Sequence, residues 1–290
     1  MSRTFISILA GLGGMFGWGT SDFLANAASE KIGHAKTLFW SQIAGLVLIA
    51  VLLIITHTQF VMSPLFFVLS IVGGVAYALG YLLFYKGFEI GNVSVVSAVV
   101  NFQVLFVIAI SYFIRGQNLT VFQIPAIAIL LIGVTIVSVN FDDLKKGTVS
   151  LLQGVKETLL ATILFGVIYW PLNEYVVEEV DWIAVSFITK FTAIIVVLVL
   201  SIYRKQSLNI QYKRNKLVIL VVSVGLLEAV GVLSATYGQS YGDGIIVAPI
   251  SSALTVVTVT LAMIFTRERI TKIQGLGIGL VVVGIMMSAF

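Results

Sequence analysis

Cysteine is absent from this chain, which excludes disulfides and thiol chemistry and leaves its compartment open. Charge is scarce too: Asp, Glu, Lys and Arg make up 10% of 290 residues, where a soluble domain has about a quarter. The two histidines, His34 and His57, fall in different loops and make no metal site, and no cofactor motif is present. Gly11-Leu12-Gly13-Gly14 follows no strand and precedes no lysine, so it is not a phosphate loop and direct ATP drive is not encoded. No nucleophile, base and orienting acid stand together, which argues against an enzyme.

Apolar residues fill the space that charge leaves, at 59% of the chain. Runs of spanning length fall near 5–26, 35–56, 64–85, 93–114 and 121–140, then near 155–172, 182–203, 217–239, 245–266 and 272–290. The first run lies behind Arg3 but lacks a cleavage pattern, so it reads as a span rather than a signal peptide. Residues 238–288 repeat 87–137 at a shift of 151 positions: Gly87 meets Gly238, Gly91 meets Gly242, Thr120 meets Thr271, Gln123 meets Gln274 and Gly133 meets Gly284. The expectation is an all-α integral membrane protein of ten transmembrane helices. Two five-helix repeats, 1–140 and 155–290, are joined by a loop at 141–154, and an odd repeat length makes them inverted.

Loop charges support this division. Fourteen basic residues, among them Lys86, Lys156, Arg204 and Lys216, fall on one side, against Arg3 and Arg115 on the other. Glu174, Glu178, Glu179, Asp181 and Asp243 lie in loops opposite the basic ones. Basic loops stay cytoplasmic, so both termini are expected outside a cell membrane. The net charge of +4 is then a topology signal facing a lipid bilayer rather than a nucleic-acid footprint.

A charge inside a span needs a reason, because insertion at mid-membrane costs about 2.5–3.5 kcal/mol. Asp22, Lys190 and Glu228 are such charges; Asp22 and Lys190 could also reach an interface by snorkelling. Glu228 is the deepest. It is a candidate for carrying a proton, as Asp22 is, or for pairing with Lys190 or a cationic substrate, or it is a neutral acid bonded inside the bundle. Tyr77, Tyr81 and Tyr85 share one helix face, and the repeat shift sets Tyr77 opposite Glu228. Aromatic stripes also serve packing or an interfacial belt, the expected role of Tyr85. Trp18 lies one turn from Asp22, so a cation or zwitterion between them gains a ring face and a countercharge. Tyr169 and Trp170 occupy the comparable region of the second half. Asn101 is expected to face the cavity, and Ser252, with its neighbours on the ninth span, lines a wet path or glues helices. Pro249 predicts a break in the second half only, since its counterpart is Ala98.

Trp18-Gly19-Thr20-Ser21-Asp22-Phe23, Phe165-Gly166-Val167-Ile168-Tyr169 and Arg267-Glu268-Arg269-Ile270-Thr271 resemble the turns and helix openings of the drug/metabolite transporter superfamily, in its ten-helix EamA-type branch. Gln117-Asn118-Leu119-Thr120 departs from it where relatives keep Glu, and Gln42 stands where many carry arginine. The resemblance implies a secondary transporter that exports a small polar metabolite, an amino acid or related compound, by alternating access, with protons as a candidate partner. Uptake of a sugar or nucleotide-like solute and a non-transport structural role are the alternatives. Two fused halves suit a working monomer or a homodimer.

Overall fold

The computed structural model describes residues 2–91, 96, 99–138, 154–210, 215–265 and 272–288; among these there is helix and turn but no strand. In order they form α1 (Arg3–Ile32), α2 (His34–Ile55), α3 (Pro64–Ile90), α4 (Gln103–Phe113), α5 (Gln123–Ser138) and α6 (Val155–Ile163). A π-helical segment, Leu164–Tyr169, leads into α7 (Trp170–Val177), followed by α8 (Trp182–Tyr203), α9 (Asn215–Gln239), α10 (Gly244–Ser252), α11 (Leu254–Phe265) and α12 (Lys272–Met287). Among the described residues six stretches are long and apolar enough to cross a membrane: His34–Ile55, Pro64–Ile90, Val155–Val177, Trp182–Tyr203, Asn215–Gln239 and Gly244–Phe265. Shorter apolar helices run over Val99–Phe113, Gln123–Val137 and Gly275–Met287. The expected linking loop at 141–153, Ala98 and the Arg267–Thr271 turn lie outside the described residues.

Polar residues mark the helix starts. The Ser63 hydroxyl accepts from Phe66 N at 3.3 Å ahead of Pro64, and Asp181 accepts from Ile183 N and Ala184 N at 2.8 and 3.2 Å. Thr120 and Gln123 form a reciprocal capping box at the entry to α5, Thr120 N to Gln123 Oε1 at 3.0 Å and Gln123 N to Thr120 Oγ1 at 3.2 Å. The same Thr-x-x-Gln spacing recurs in the sequence at Thr271 and Gln274.

Helix α1 runs through the centre, packed on α2, α3, α9, α10 and α11, with Phe5, Leu9 and Phe16 left exposed. Glycines set the approach: a methyl at Gly17 would come within 2.6 Å of the Gly231 nitrogen on α9. On the far side α5 packs on α12, where a methyl at Gly133 would lie 2.8 Å from the Gly277 carbonyl oxygen and one at Gly284 2.7 Å from Leu130 Cβ. Large apolar side chains such as Val51, Val68, Val199 and Ile219 stay exposed, as lipid-facing residues do.

The helix break differs from the expectation. Helix α10 continues through Pro249, which sits in its second turn and so frees a carbonyl near the helix start. The interruption comes at Ala253 and has a counterpart in the first half at Phe102, one repeat shift away. Matching three-residue hydrogen bonds form both breaks: Phe102 N to Val99 O at 3.2 Å and Leu105 N to Phe102 O at 3.1 Å, against Ala253 N to Ile250 O at 3.1 Å and Val256 N to Ala253 O at 2.9 Å.

Candidate functional site

Four side chains from four helices meet in the protein interior: Gln42 of α2, Tyr77 of α3, Lys190 of α8 and Glu228 of α9, each fully buried. The Lys190 ammonium pairs with Glu228 Oε2 and donates to Gln42 Oε1 at 3.0 Å and to the Tyr77 hydroxyl oxygen at 3.3 Å. Its three N–H groups therefore have three acceptors. Tyr77 donates its hydroxyl hydrogen to Glu228 Oε1, and Gln42 Nε2 reaches Glu228 Oε2 at 3.4 Å. The ammonium also lies 5.6 Å from the Tyr77 ring centre. Small residues bring these helices close enough to meet: Gly45 of α2 lies against Gly225 and Ala229 of α9, next to the Lys190 stem.

Beside this cluster lies an aromatic cavity of about 40 Å³, lined by Trp18 and Asp22 of α1, Tyr77, Tyr81 and Phe84 of α3, Phe165 and Tyr169 of the π segment, Trp170, Val100, Gln103 and Leu254. It has room for a few water molecules. Ring pairs brace the walls, Tyr77 to Tyr81 at 4.7 Å, Tyr77 to Tyr169 at 5.0 Å and Tyr81 to Phe165 at 5.1 Å between centres. Asp22 is 4% exposed, yet among the described residues its Oδ1 has no hydrogen-bond partner, and neither has Gln103 Oε1. Trp18 and Trp170, edge to face at 5.9 Å, separate this cavity from a smaller void that Ser252 lines. The π segment ends two residues ahead of Pro171, which removes a backbone donor, so the wider turn falls where the ladder is already interrupted.

A second polar network closes one end of the bundle. Glu174 of α7, 1% exposed, accepts from Gln117 Nε2 at 2.7 Å and Gly244 N at 2.6 Å and lies 3.6 Å from Arg115 Nε. Arg115 reaches Glu178 at 2.5 Å, Ile245 N donates to Gln117 Oε1 at 3.1 Å, and Arg3 pairs with Asp243 at 3.1 Å. The start of α1, the α4–α5 loop, the end of α7 and the α9–α10 turn are thus tied together.

The family model for the EamA-like transporter family matches residues 5–139 and 155–290, nearly the whole chain in two segments. The chain belongs to that family. Among curated proteins, this EamA-like chain is 30% identical over 107 residues to an uncharacterised protein of Methanocaldococcus jannaschii, covering 37% of this chain and 73% of that one. A solved crystal structure superposes with a TM-score of 0.79 at 14% identity, covering 99% of this chain and 98% of that one, which shows a shared fold. The EamA-like chain is accordingly a multi-pass membrane protein of a transporter family, with a small-molecule substrate and a lipid environment.

Of the side chains that sequence reasoning singles out in this EamA-like protein, Trp18, Asp22, Tyr77, Tyr81, Tyr169 and Trp170 line one cavity. Lys190 does not snorkel; it joins Glu228 one layer behind the Tyr77 ring. Three expectations change. Asn101 does not line the cavity but donates from Nδ2 to Thr255 Oγ1 at 2.7 Å, because a buried amide is held where it finds an acceptor. Tyr85 is fully buried against Tyr81 and Phe84, not in a belt, because α3 runs on to Ile90. Glu174 sits in α7, not in a loop. Ser252 turns its hydroxyl to Pro249 O at 2.6 Å. His34 is not free in solvent either, since it opens α2 and pairs with Glu89. Sequence reasoning passed over Gln103 and Phe84, and it met Gln42 only as a departure from relatives. A lone amide in an apolar run is the one signal that Gln42 and Gln103 offer.

Proposed function

We propose that this chain is a secondary carrier that moves a small polar metabolite, of the amino-acid or related class, out of the cell by alternating access. The observation that carries the reading is the aromatic cavity itself. Its wall draws on α1 and α3 from the first family-model segment and on the π segment, Trp170 and Leu254 from the second, so any rocking of one segment on the other reshapes it. A space of about 40 Å³ does not hold a metabolite, so the walls must part for one to enter. The paired breaks at Phe102 and Ala253 give each segment a place to bend, and the Glu174 network is the contact that parts at one end.

Ten spans in two inverted repeats, 1–140 and 155–290, with both termini outside the cytoplasmic membrane, remain the architecture that suits this mechanism. The loop charges and the two-segment family match support it. Proton coupling runs through Glu228, by release of its contact with Lys190, and through Asp22, by direct exchange in the cavity.

Counterflow in proteoliposomes loaded with amino acids, amines, sugars and nucleosides tests the reading, followed by mass spectrometry with and without a pH gradient. Exchange of one solute class, with its gradient-driven part lost in Glu228→Gln, supports a proton-coupled carrier. Exchange of sugars or nucleosides alone overturns the substrate class. No exchange of any solute by folded protein overturns the carrier reading.

A further inference from the structure

We infer that the cavity between Trp18, Asp22 and Tyr81 is a binding site for a small organic monocation, an ammonium compound lacking a carboxylate. The inference rests on the carrier reading and moves its substrate from amino acids to the related amines that lack a carboxylate. Three ionisable side chains sit together in the interior, Asp22, Lys190 and Glu228, each at 4% exposure or less. Lys190 and Glu228 cancel, and their remaining hydrogen-bonding capacity is taken up by Tyr77 and Gln42. Asp22 is left as the unmatched charge. No hydrogen bond or ion pair within the described residues reaches it, and its Oδ1 is fully buried without a partner. A carboxylate in that state is costly unless a cation joins it.

The chemistry of the walls suits the same ligand once they part to admit it. A ring face stabilises a cation through its quadrupole, most strongly where water is excluded, and rings make up most of this cavity. Gln103 Oε1, buried and without a protein partner, adds a second acceptor for an N–H group. No lysine, arginine or histidine lines the cavity. An anion would therefore meet Asp22 with nothing to balance it. The carboxylate of an amino acid would find neutral donors at most, such as the Trp18 indole N–H, and no cation, since the nearest one, Lys190, already has a partner for each of its three N–H groups. The site discriminates by the absence of a carboxylate partner as much as by the presence of an amine partner.

Matched probes test this on the purified full-length protein. Binding of tetramethylammonium and of isobutylamine is compared with glycine betaine and valine, which add a carboxylate to the same cationic groups. Intrinsic fluorescence serves as the readout, since Trp18 and Trp170 both line the site. The cations are expected to bind about tenfold or more tighter than their zwitterions, and Asp22→Asn to weaken cation binding by about tenfold or more. Asp22→Glu should restore part of it. Gln103→Leu, which keeps the charge, should weaken isobutylamine more than tetramethylammonium, because only the former has N–H groups to donate. Zwitterions binding as tightly as the amines, or Asp22→Asn binding cations like wild type while unfolding like wild type, would overturn the inference. Where Asp22→Asn does not fold, the ratio of amine to zwitterion in the wild type decides alone. Transport separates the two readings. Cation binding without counterflow sinks the carrier and keeps the site; counterflow of amino acids with no cation binding does the reverse.

Discussion

Breaking the Lys190–Glu228 pair from one side should cost more than replacing it from both. In Glu228→Gln the ammonium keeps Gln42 and Tyr77 as neutral acceptors but loses the only group in direct contact that balances its charge, in a place where neither partner has any exposure. Leaving one member of a buried pair uncompensated costs about 3–5 kcal/mol. The insertion cost of a lone mid-membrane charge, about 2.5–3.5 kcal/mol, gives a consistent lower bound. Lys190→Met leaves Glu228 with Tyr77 and Gln42 as donors and the option of taking up a proton, so about 1–3 kcal/mol is expected, the cost of an unmade polar contact. The double variant Lys190→Met/Glu228→Gln removes both charges and should return to within about 2 kcal/mol of wild type, giving a coupling energy of at least about 2 kcal/mol. Unfolding in mixed micelles with rising SDS, followed by tryptophan fluorescence and circular dichroism, measures all four corners of the cycle. A double variant as unstable as the sum of the singles, or a Glu228→Gln protein within about 0.5 kcal/mol of wild type, would refute the closed pair as the source of stability.

Other expectations follow from the same geometry. Arg115→Gln or Glu174→Gln should loosen the end network, and the rate at which a thiol reagent reaches Ala248→Cys, beside the Trp18–Trp170 partition, should rise about tenfold from that side; an unchanged rate would remove the network from gating. Gly133→Leu should destabilise by about 1–3 kcal/mol through overlap with the Gly277 carbonyl, whereas Gly279→Ala, with nothing within 4 Å of the added methyl, should change stability by less than about 0.5 kcal/mol. Thermal unfolding of the two variants in detergent checks the contrast. Since the chain has no native cysteine, Ser207→Cys should be labelled from the cytoplasm and from nowhere else; labelling from outside would invert the topology.

Much of the site is legible in the amino-acid sequence because charge inside a membrane is rare enough to stand out. Asp22, Lys190 and Glu228 identify themselves by cost alone, and the repeat shift brings Tyr77 onto Glu228, which the structure matches with a hydrogen bond. What escapes is whatever depends on where a helix ends. Tyr85 reads as belt only if α3 stops near it, and five further residues, to Ile90, bury it. Glu174 reads as a loop charge until α7 carries it under the α9–α10 turn, where Gly244 N and Gln117 satisfy it. Asn101 fails for another reason: an amide has no directional signature in sequence, and Thr255 is near enough to claim it. The break at Phe102 has no composition signal at all. Pro249 draws attention to the wrong position: α10 runs on through it, and the interruption comes at Ala253.

Packing repeats in this chain while charge does not, and the difference has a physical basis. Gly74 lies against Thr192 and Gly225 against Ser41, and a shift of 151 positions turns one contact into the other. The breaks at Phe102 and Ala253 obey the same rule, and so do two pairs of cavity residues, Trp18 with Tyr169 and Gln103 with Leu254. The ionisable groups break it: Asp22 corresponds to Asn173, Glu228 to Tyr77 and Lys190 to Phe39. Were the charges repeated as faithfully as the glycines, a Glu at 77 would sit directly against Glu228, and an Asp at 173 would add a further buried carboxyl to Asp22 and Glu228. Like charges at such separation cannot all ionise. Duplicating the lysine would balance the count only by burying a second ion pair, whose desolvation cost a membrane interior does not repay. On the proposed carrier reading, equivalent contacts on the two sides would keep the work of opening similar in both directions. Leaving Asp22 as the single unmatched carboxyl of the cavity gives a proton or a cation one group to neutralise, in keeping with the proposed site.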